Sequence, residues 1–118
     1  MVRGELYQAN LDPISGAEQG GTRPVLIVSR DALNANAPIV IVVPLTSREK
    51  KKRLYPTHVE IPAGEAGLSK NSVVLCEQVR ALSKNRLTKR IGLATSTRMS
   101  LIDATLMIAL DLPDRIKV

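Results

Sequence analysis

The sequence predicts an α+β domain: a small, strongly curved antiparallel β-sheet or barrel followed by one C-terminal α-helix. Three observations carry this expectation. Short runs of strand-forming residues succeed one another from Gly4 to Leu93, separated by turn signals rather than helical stretches, so sequential strands are expected to pair antiparallel. The apolar period changes once, near the end, where Ile102, Leu106, Ala109 and Leu110 fall on one face of a helix. The length, 118 residues, suits one hydrophobic core and is short for two, so a single domain over 1–118 is expected.

Gly4 to Leu11 alternates loosely and reads as the first strand, ended by Asp12-Pro13. Residues 14–22 are rich in turn formers and read as a loop. Pro24 to Ser29 is a continuous apolar run of strand length, as expected for a strand buried on both faces. Asp31 is placed to cap a short helical turn through Asn34. Pro38 opens a largely β-branched strand, Ile39 to Leu45. A basic loop follows, closed by Tyr55-Pro56, then a short strand from Thr57 to Ile61 and a loop from Pro62 to Lys70 containing Gly64 and Gly67. Ser72 to Leu82 is the longest strand candidate. Ser83 to Asn85 turns the chain into a weaker strand, Leu87 to Leu93. Thr95 or Ser96 can cap the final helix, and Pro113 marks its end.

Composition narrows the function. The chain has no Phe or Trp, two tyrosines, one histidine and one cysteine. A single cysteine excludes an intrachain disulfide and a cysteine-based metal site, and a single histidine excludes a two-histidine nuclease. His58, isolated within a strand, and Cys76 both read as structural. No apolar run approaches the roughly 18 residues that cross a bilayer, and the N-terminus lacks the apolar stretch of a secretion signal, so a cytoplasmic protein without membrane contact is expected. The net charge is +6 and uneven. Residues 46–98 hold twelve basic and four acidic groups, with clusters at Arg48, Lys50, Lys51, Lys52 and Arg53 and at Arg80, Lys84, Arg86, Lys89 and Arg90. Such runs serve either as solvated surface or as a phosphate-binding face.

No P-loop, GxGxxG, HExxH or GxSxG motif is present. One feature stands out. A polar loop with Glu18 and Gln19 runs into Gly20-Gly21-Thr22-Arg23-Pro24 and directly into a buried strand. Pro24 forces Arg23 into extended geometry, fixing a guanidinium at a strand mouth, and the two glycines would let backbone approach a ligand closely. The next strand ends in Thr46 and Ser47. If the two strands are neighbours, Arg23 and Thr46 converge, and a guanidinium beside a hydroxyl suits the stabilisation of a phosphorane-like transition state.

These stretches resemble the MazF/PemK (Kid) family of toxin–antitoxin ribonucleases. The likeness includes residues 3–7, Asp12-Pro13, residues 16–28, Val43-Pro44-Leu45-Thr46-Ser47, Pro56-Thr57-His58-Val59 and Leu75-Cys76-Glu77-Gln78-Val79-Arg80, in order and with family spacing. The resemblance implies an SH3-like, CcdB-like fold. It implies sequence-specific cleavage of single-stranded RNA without metal or cofactor, through attack of the 2′-hydroxyl on the adjacent phosphate. The products are a 2′,3′-cyclic phosphate and a 5′-hydroxyl. The family's catalytic arginine falls on Arg23 and its threonine on Thr46. Glu18, Gln19, Thr22, Ser47, Glu77, Gln78 and Arg80 fall on positions implied to contact RNA. The Kid-branch histidine and arginine are replaced here by Ala17 and Leu75, so those roles do not transfer. The general base is open between Glu77, Glu18 and solvent.

Within a strand, Glu77 and Gln78 would point to opposite faces, so at most one is expected to face the groove. A homodimer is implied, with apolar side chains such as Leu101 and Ile108 left outside the protomer's own core. A cognate acidic antitoxin is implied as the inhibitor of the groove. The same fold also suits a CcdB-like toxin that binds a topoisomerase and catalyses nothing, or an inert binding module. Arg23, Thr46 and the basic excess favour the nuclease.

Overall fold

A computed structural model describes residues 1–113. The strands are β1 (Glu5–Asn10), β2 (Thr22–Ile27), β3 (Ile39–Ser47), β4 (His58–Ile61), β5 (Ser72–Leu75), β6 (Arg80–Ser83) and β7 (Leu87–Leu93). A short helix α1 (Asp31–Asn36) links β2 to β3, and α2 (Ser96–Leu110) closes the chain. The sheet runs β4-β5-β3-β2-β1-β7, with β6 also paired to β3, and every pairing is antiparallel. Strands β4 and β7 end this path without meeting. The sheet is therefore open, and the barrel half of the expectation gives way to an open sheet. Bulges in the β1–β7 ladder add local twist.

Alternation along the strands builds two cores. Leu26, Val43 and Leu45 join Leu6, Ile61, Val74, Cys76 and Ile102 in the larger cluster. Their sequence neighbours Val25, Ile27, Val40 and Val42 turn to the opposite face and pack with Ala9, Leu11 and Leu82. This is why β2 and β3 read as unbroken apolar runs: both of their faces are covered.

The long strand expected from Ser72 to Leu82 is interrupted. Val74 lies opposite Leu45 and Arg80 opposite Val42, so three steps along β3 are matched by six along its partner. The three-residue excess is the 3₁₀ turn Cys76–Gln78. Val43 and Pro44 fall between the two paired halves. Proline has no N–H to donate, so the partner leaves the ladder where β3 offers least.

Helix α2 packs against β4 and the Cys76–Gln78 turn. Thr95 is its N-cap, the hydroxyl accepting from the Arg98 N–H at 3.1 Å. Asp111 ends it in left-handed geometry, just before Pro113. Ile102 is fully buried, and Leu106 and Ala109 pack at the edge of the larger core. Leu110, expected on the same stripe, is 51% exposed. Asp31 does not cap α1: Arg30 holds the N-cap position, and the Asp31 carboxylate instead accepts from the Arg3 N–H at 2.7 Å.

Candidate active site

Arg23 and Thr46 meet because of strand register. Val25 faces Pro44 across the β2–β3 pair, and two residues further along the antiparallel strands stand Arg23 and Thr46. Both lie on the sheet face that carries Val25 and Val42. They line one small cavity of about 180 Å³ with Thr22, Ser47, Leu68, Ser69, Lys70 and Ser72. Thr46 is buried and Arg23 half-buried. The Arg23 Nε donates to the Gly20 carbonyl at 2.8 Å, which orients the guanidinium while committing only its inner nitrogen. The two terminal amino groups form the fork suited to a phosphate.

A second cavity, about 420 Å³, is lined by Glu18, Gln19, Pro44, Glu77, Gln78, Val79 and Arg80. It exists because of the turn that interrupts the strand. Glu77 and Gln78 sit on that turn and line the same cavity, so the expectation of opposite faces is corrected. The Gln19 N–H donates to Gln78 Oε1 at 2.8 Å, which latches the 14–21 loop onto the turn. Gln19 Oε1 is buried without a hydrogen-bond partner. Glu18 accepts from the Ser15 N–H at 3.1 Å. Behind the cavity, His58 Nε2 lies 3.2 Å from Glu77 Oε2, and the His58 side chain is 1% exposed. Burial pushes the neighbouring Cys76 thiol up to about 12, helped by the Glu77 charge. That thiol is inert toward nucleophilic chemistry.

All nine residues singled out in the sequence therefore fall in two neighbouring cavities: Thr22, Arg23, Thr46 and Ser47 in one, Glu18, Gln19, Glu77, Gln78 and Arg80 in the other. The two glycines before Thr22 also shape the loop. Gly21 has φ +73° and donates its N–H to Asp12 Oδ1 at 3.0 Å. A side chain on Gly20 would meet Asp12 and Ile14. Both glycines thus help close the loop on itself, and the space beside the Gly21 Cα stays open.

Leu68, Ser69 and Lys70 were not singled out in the sequence. They reach the Arg23–Thr46 cavity on a loop pressed against β7, where a Cβ on Gly92 would stand 2.3 Å from the Ala66 carbonyl oxygen. Gly67 in a loop is a weak local sign, and its partner Gly92 is distant in sequence. Among the described residues, no group of three or more His, Cys, Asp or Glu is placed to hold a metal ion, and no helix is long and apolar enough to cross a membrane.

Residues 2–110 match the model of the PemK-like, MazF-like toxins of type II toxin–antitoxin systems. The chain belongs to this family. A curated family member, the endoribonuclease MazF of Staphylococcus saprophyticus, is 43% identical over 112 residues, 95% of this chain and 92% of that protein. Among solved structures, MazF from Deinococcus radiodurans superposes with a TM-score of 0.81 at 30% identity, covering 95% of this chain and 97% of the other. A mycobacterial endoribonuclease in complex with its cognate antitoxin gives 0.79 at 30% identity, covering 97% and 98%. Within this PemK/MazF-like frame, the family fold is the open curved sheet with its terminal helix.

Proposed function

We propose that this PemK/MazF-like chain, as a single domain over residues 1–118, is a cytoplasmic, metal-independent endoribonuclease that cuts single-stranded RNA at specific sequences. The observation that carries the reading is the convergence of Arg23 and Thr46 in one cavity beside a second cavity lined by Glu18, Gln19, Glu77 and Gln78, in a chain 43% identical to an endoribonuclease.

The RNA supplies its own nucleophile. The 2′-hydroxyl gives up its proton as its oxygen attacks the adjacent phosphorus, the P–O5′ bond breaks, O5′ takes a proton from Arg23 or water, and a 2′,3′-cyclic phosphate and a 5′-hydroxyl remain. Nucleophile and phosphorus share one nucleotide, so the chain has only to align them and stabilise the charge that gathers on the phosphoryl oxygens. Arg23 meets that charge with its two terminal amino groups, and Thr46 adds a hydroxyl from the strand alongside. The proton leaving the 2′-hydroxyl goes to Glu77, Glu18 or water. The larger cavity, polar and within the size range of ligand pockets, receives a flanking base. Thr22, Ser47 and Arg80 complete the RNA contacts. A homodimer covers the apolar surface near the end of α2, and a cognate acidic antitoxin blocks the groove.

Incubating the purified protein with a long single-stranded RNA in EDTA tests this reading. Discrete fragments with cyclic-phosphate and 5′-hydroxyl ends are expected. A substrate with one 2′-deoxy nucleotide 5′ of the cut should bind and resist cleavage. An intact RNA, or rapid cutting of the deoxy substrate, would remove this mechanism. An intact RNA would turn attention to the non-catalytic, topoisomerase-binding alternative.

A further inference from the structure

We propose that His58 is a positioning residue for Glu77, acting as a neutral imidazole with its hydrogen on Nε2. This rests on the reading that Glu77 faces the RNA. The tautomer follows from donor logic. The Tyr55 backbone N–H points at His58 Nδ1 at 3.1 Å, and a backbone amide can only donate. Nδ1 must therefore present its lone pair, and the ring hydrogen sits on Nε2, 3.2 Å from Glu77 Oε2. The ring is fixed in place: Tyr55 meets it edge to face at 5.4 Å, only 1% of its side chain is exposed, and its backbone is paired with Leu75 in the sheet. Glu77, by contrast, is 39% exposed on the turn that juts from the sheet. A buried, immobile donor thus grips one oxygen of an exposed carboxylate and leaves the other for the groove.

The grip matters because Arg80 lines the same cavity. A glutamate on an open turn has rotamers to spare, and one released from His58 is free to swing toward Arg80 and neutralise it. In the structure Glu77 pairs with His58. The imidazole therefore keeps a carboxylate and a guanidinium available side by side in one pocket. The isolated histidine that reads as structural in the sequence acts on the groove through its neighbour.

Four variants and one spectrum test this. His58→Gln can still donate from a position close to that of Nε2, whereas His58→Asn keeps an acceptor for Tyr55 and is too short to reach Glu77. With thermal melting used to confirm the fold, His58→Asn should lower kcat/KM for RNA cleavage about tenfold or more, the scale of a lost hydrogen bond to a charged group. His58→Gln should recover most of it. His58→Asn added to Glu77→Ala should cost nothing further, since the histidine acts only through the glutamate. Long-range ¹H–¹⁵N spectra of the wild-type chain should show hydrogen on Nε2 and a bare Nδ1, with the Nε2 signal moving in Glu77→Ala. A fully active His58→Asn, an additive loss in the double variant, or a hydrogen on Nδ1 would each overturn the assignment. Wild-type protein that leaves RNA intact would instead strike the functional reading, and the spectra would still decide whether His58 holds Glu77.

Discussion

A guanidinium does not accept a proton at neutral pH, so Arg23 is not the group that takes the 2′-proton, and it works chiefly on charge. Its Nε is committed to the Gly20 carbonyl at 2.8 Å, and the terminal nitrogens are what a phosphate can use. Arg23→Ala should lower the cleavage rate by about 10²–10³, the scale of losing one oxyanion-type donor, with little change in melting temperature because the side chain is no part of either core. Arg23→Lys should remain impaired, since an ammonium cannot reproduce the fork. Thr46→Ala should also lose most activity, and wild-type rates in either alanine variant would discard the site. Arg23 and Thr46 were legible in the sequence because each sits in a local signal, an Arg-Pro entering a strand and a Thr-Ser leaving one. The contribution of His58 was not legible. It depends on a buried ring reaching across to a turn nineteen residues away.

At the scale of elements, Glu77 and Gln78 exchange the strand expected of them for a turn, and Thr22 passes from the expected loop into the first position of β2. The segment from Val73 to Leu82 has neither Gly nor Pro and gives no sign of the turn at Cys76–Gln78. The sign lies on the other strand, in Pro44, since a proline inside a central strand marks a bulge or a break in pairing. Helical periodicity found the inner face of α2 and overextended it to Leu110, where the sheet beneath has ended. Residues 62–70 read as a loop from Pro62, Gly64 and Gly67, and what fixes the loop is contact with β7. Gly92→Ala would drive a methyl into the Ala66 carbonyl. We expect a loss of about 1–3 kcal/mol in stability from overpacking, read by chemical denaturation, and slower RNA cleavage as Leu68, Ser69 and Lys70 move from the Arg23–Thr46 cavity. An unchanged denaturation midpoint would mean the loop yields freely.

For the molecule as a whole, surface composition points to a partner. Leu101, Ile108, Leu110 and Leu112 are 48–58% exposed around the second half of α2. Exposed apolar patches of this kind mark interfaces, and a twofold dimer is the commonest cover. Sedimentation at micromolar concentration should give about twice the 12.8 kDa protomer mass, and a species at the protomer mass would set the homodimer aside. The basic surface is smaller than the sequence suggests. Arg86 donates to the Asn10 and Asp12 carbonyls just where β1 ends, Lys84 to the Asn34 carbonyl, and Arg90 pairs with Glu5. Lys50, Lys52, Arg53, Lys70 and Lys89 remain exposed, and on the proposed function these are the charges expected to attract RNA, so affinity should fall steeply as salt rises. The strand β3 joins these scales, because it pairs with β2, β5 and β6 and carries Thr46 next to its last residue. Opening it means dismantling the sheet, whereas the exposed 14–18 stretch has few buried contacts to lose. The two halves of the groove therefore keep different clocks: the threonine is held for as long as the fold lasts, while the stretch that carries Glu18 can rearrange without unfolding anything else.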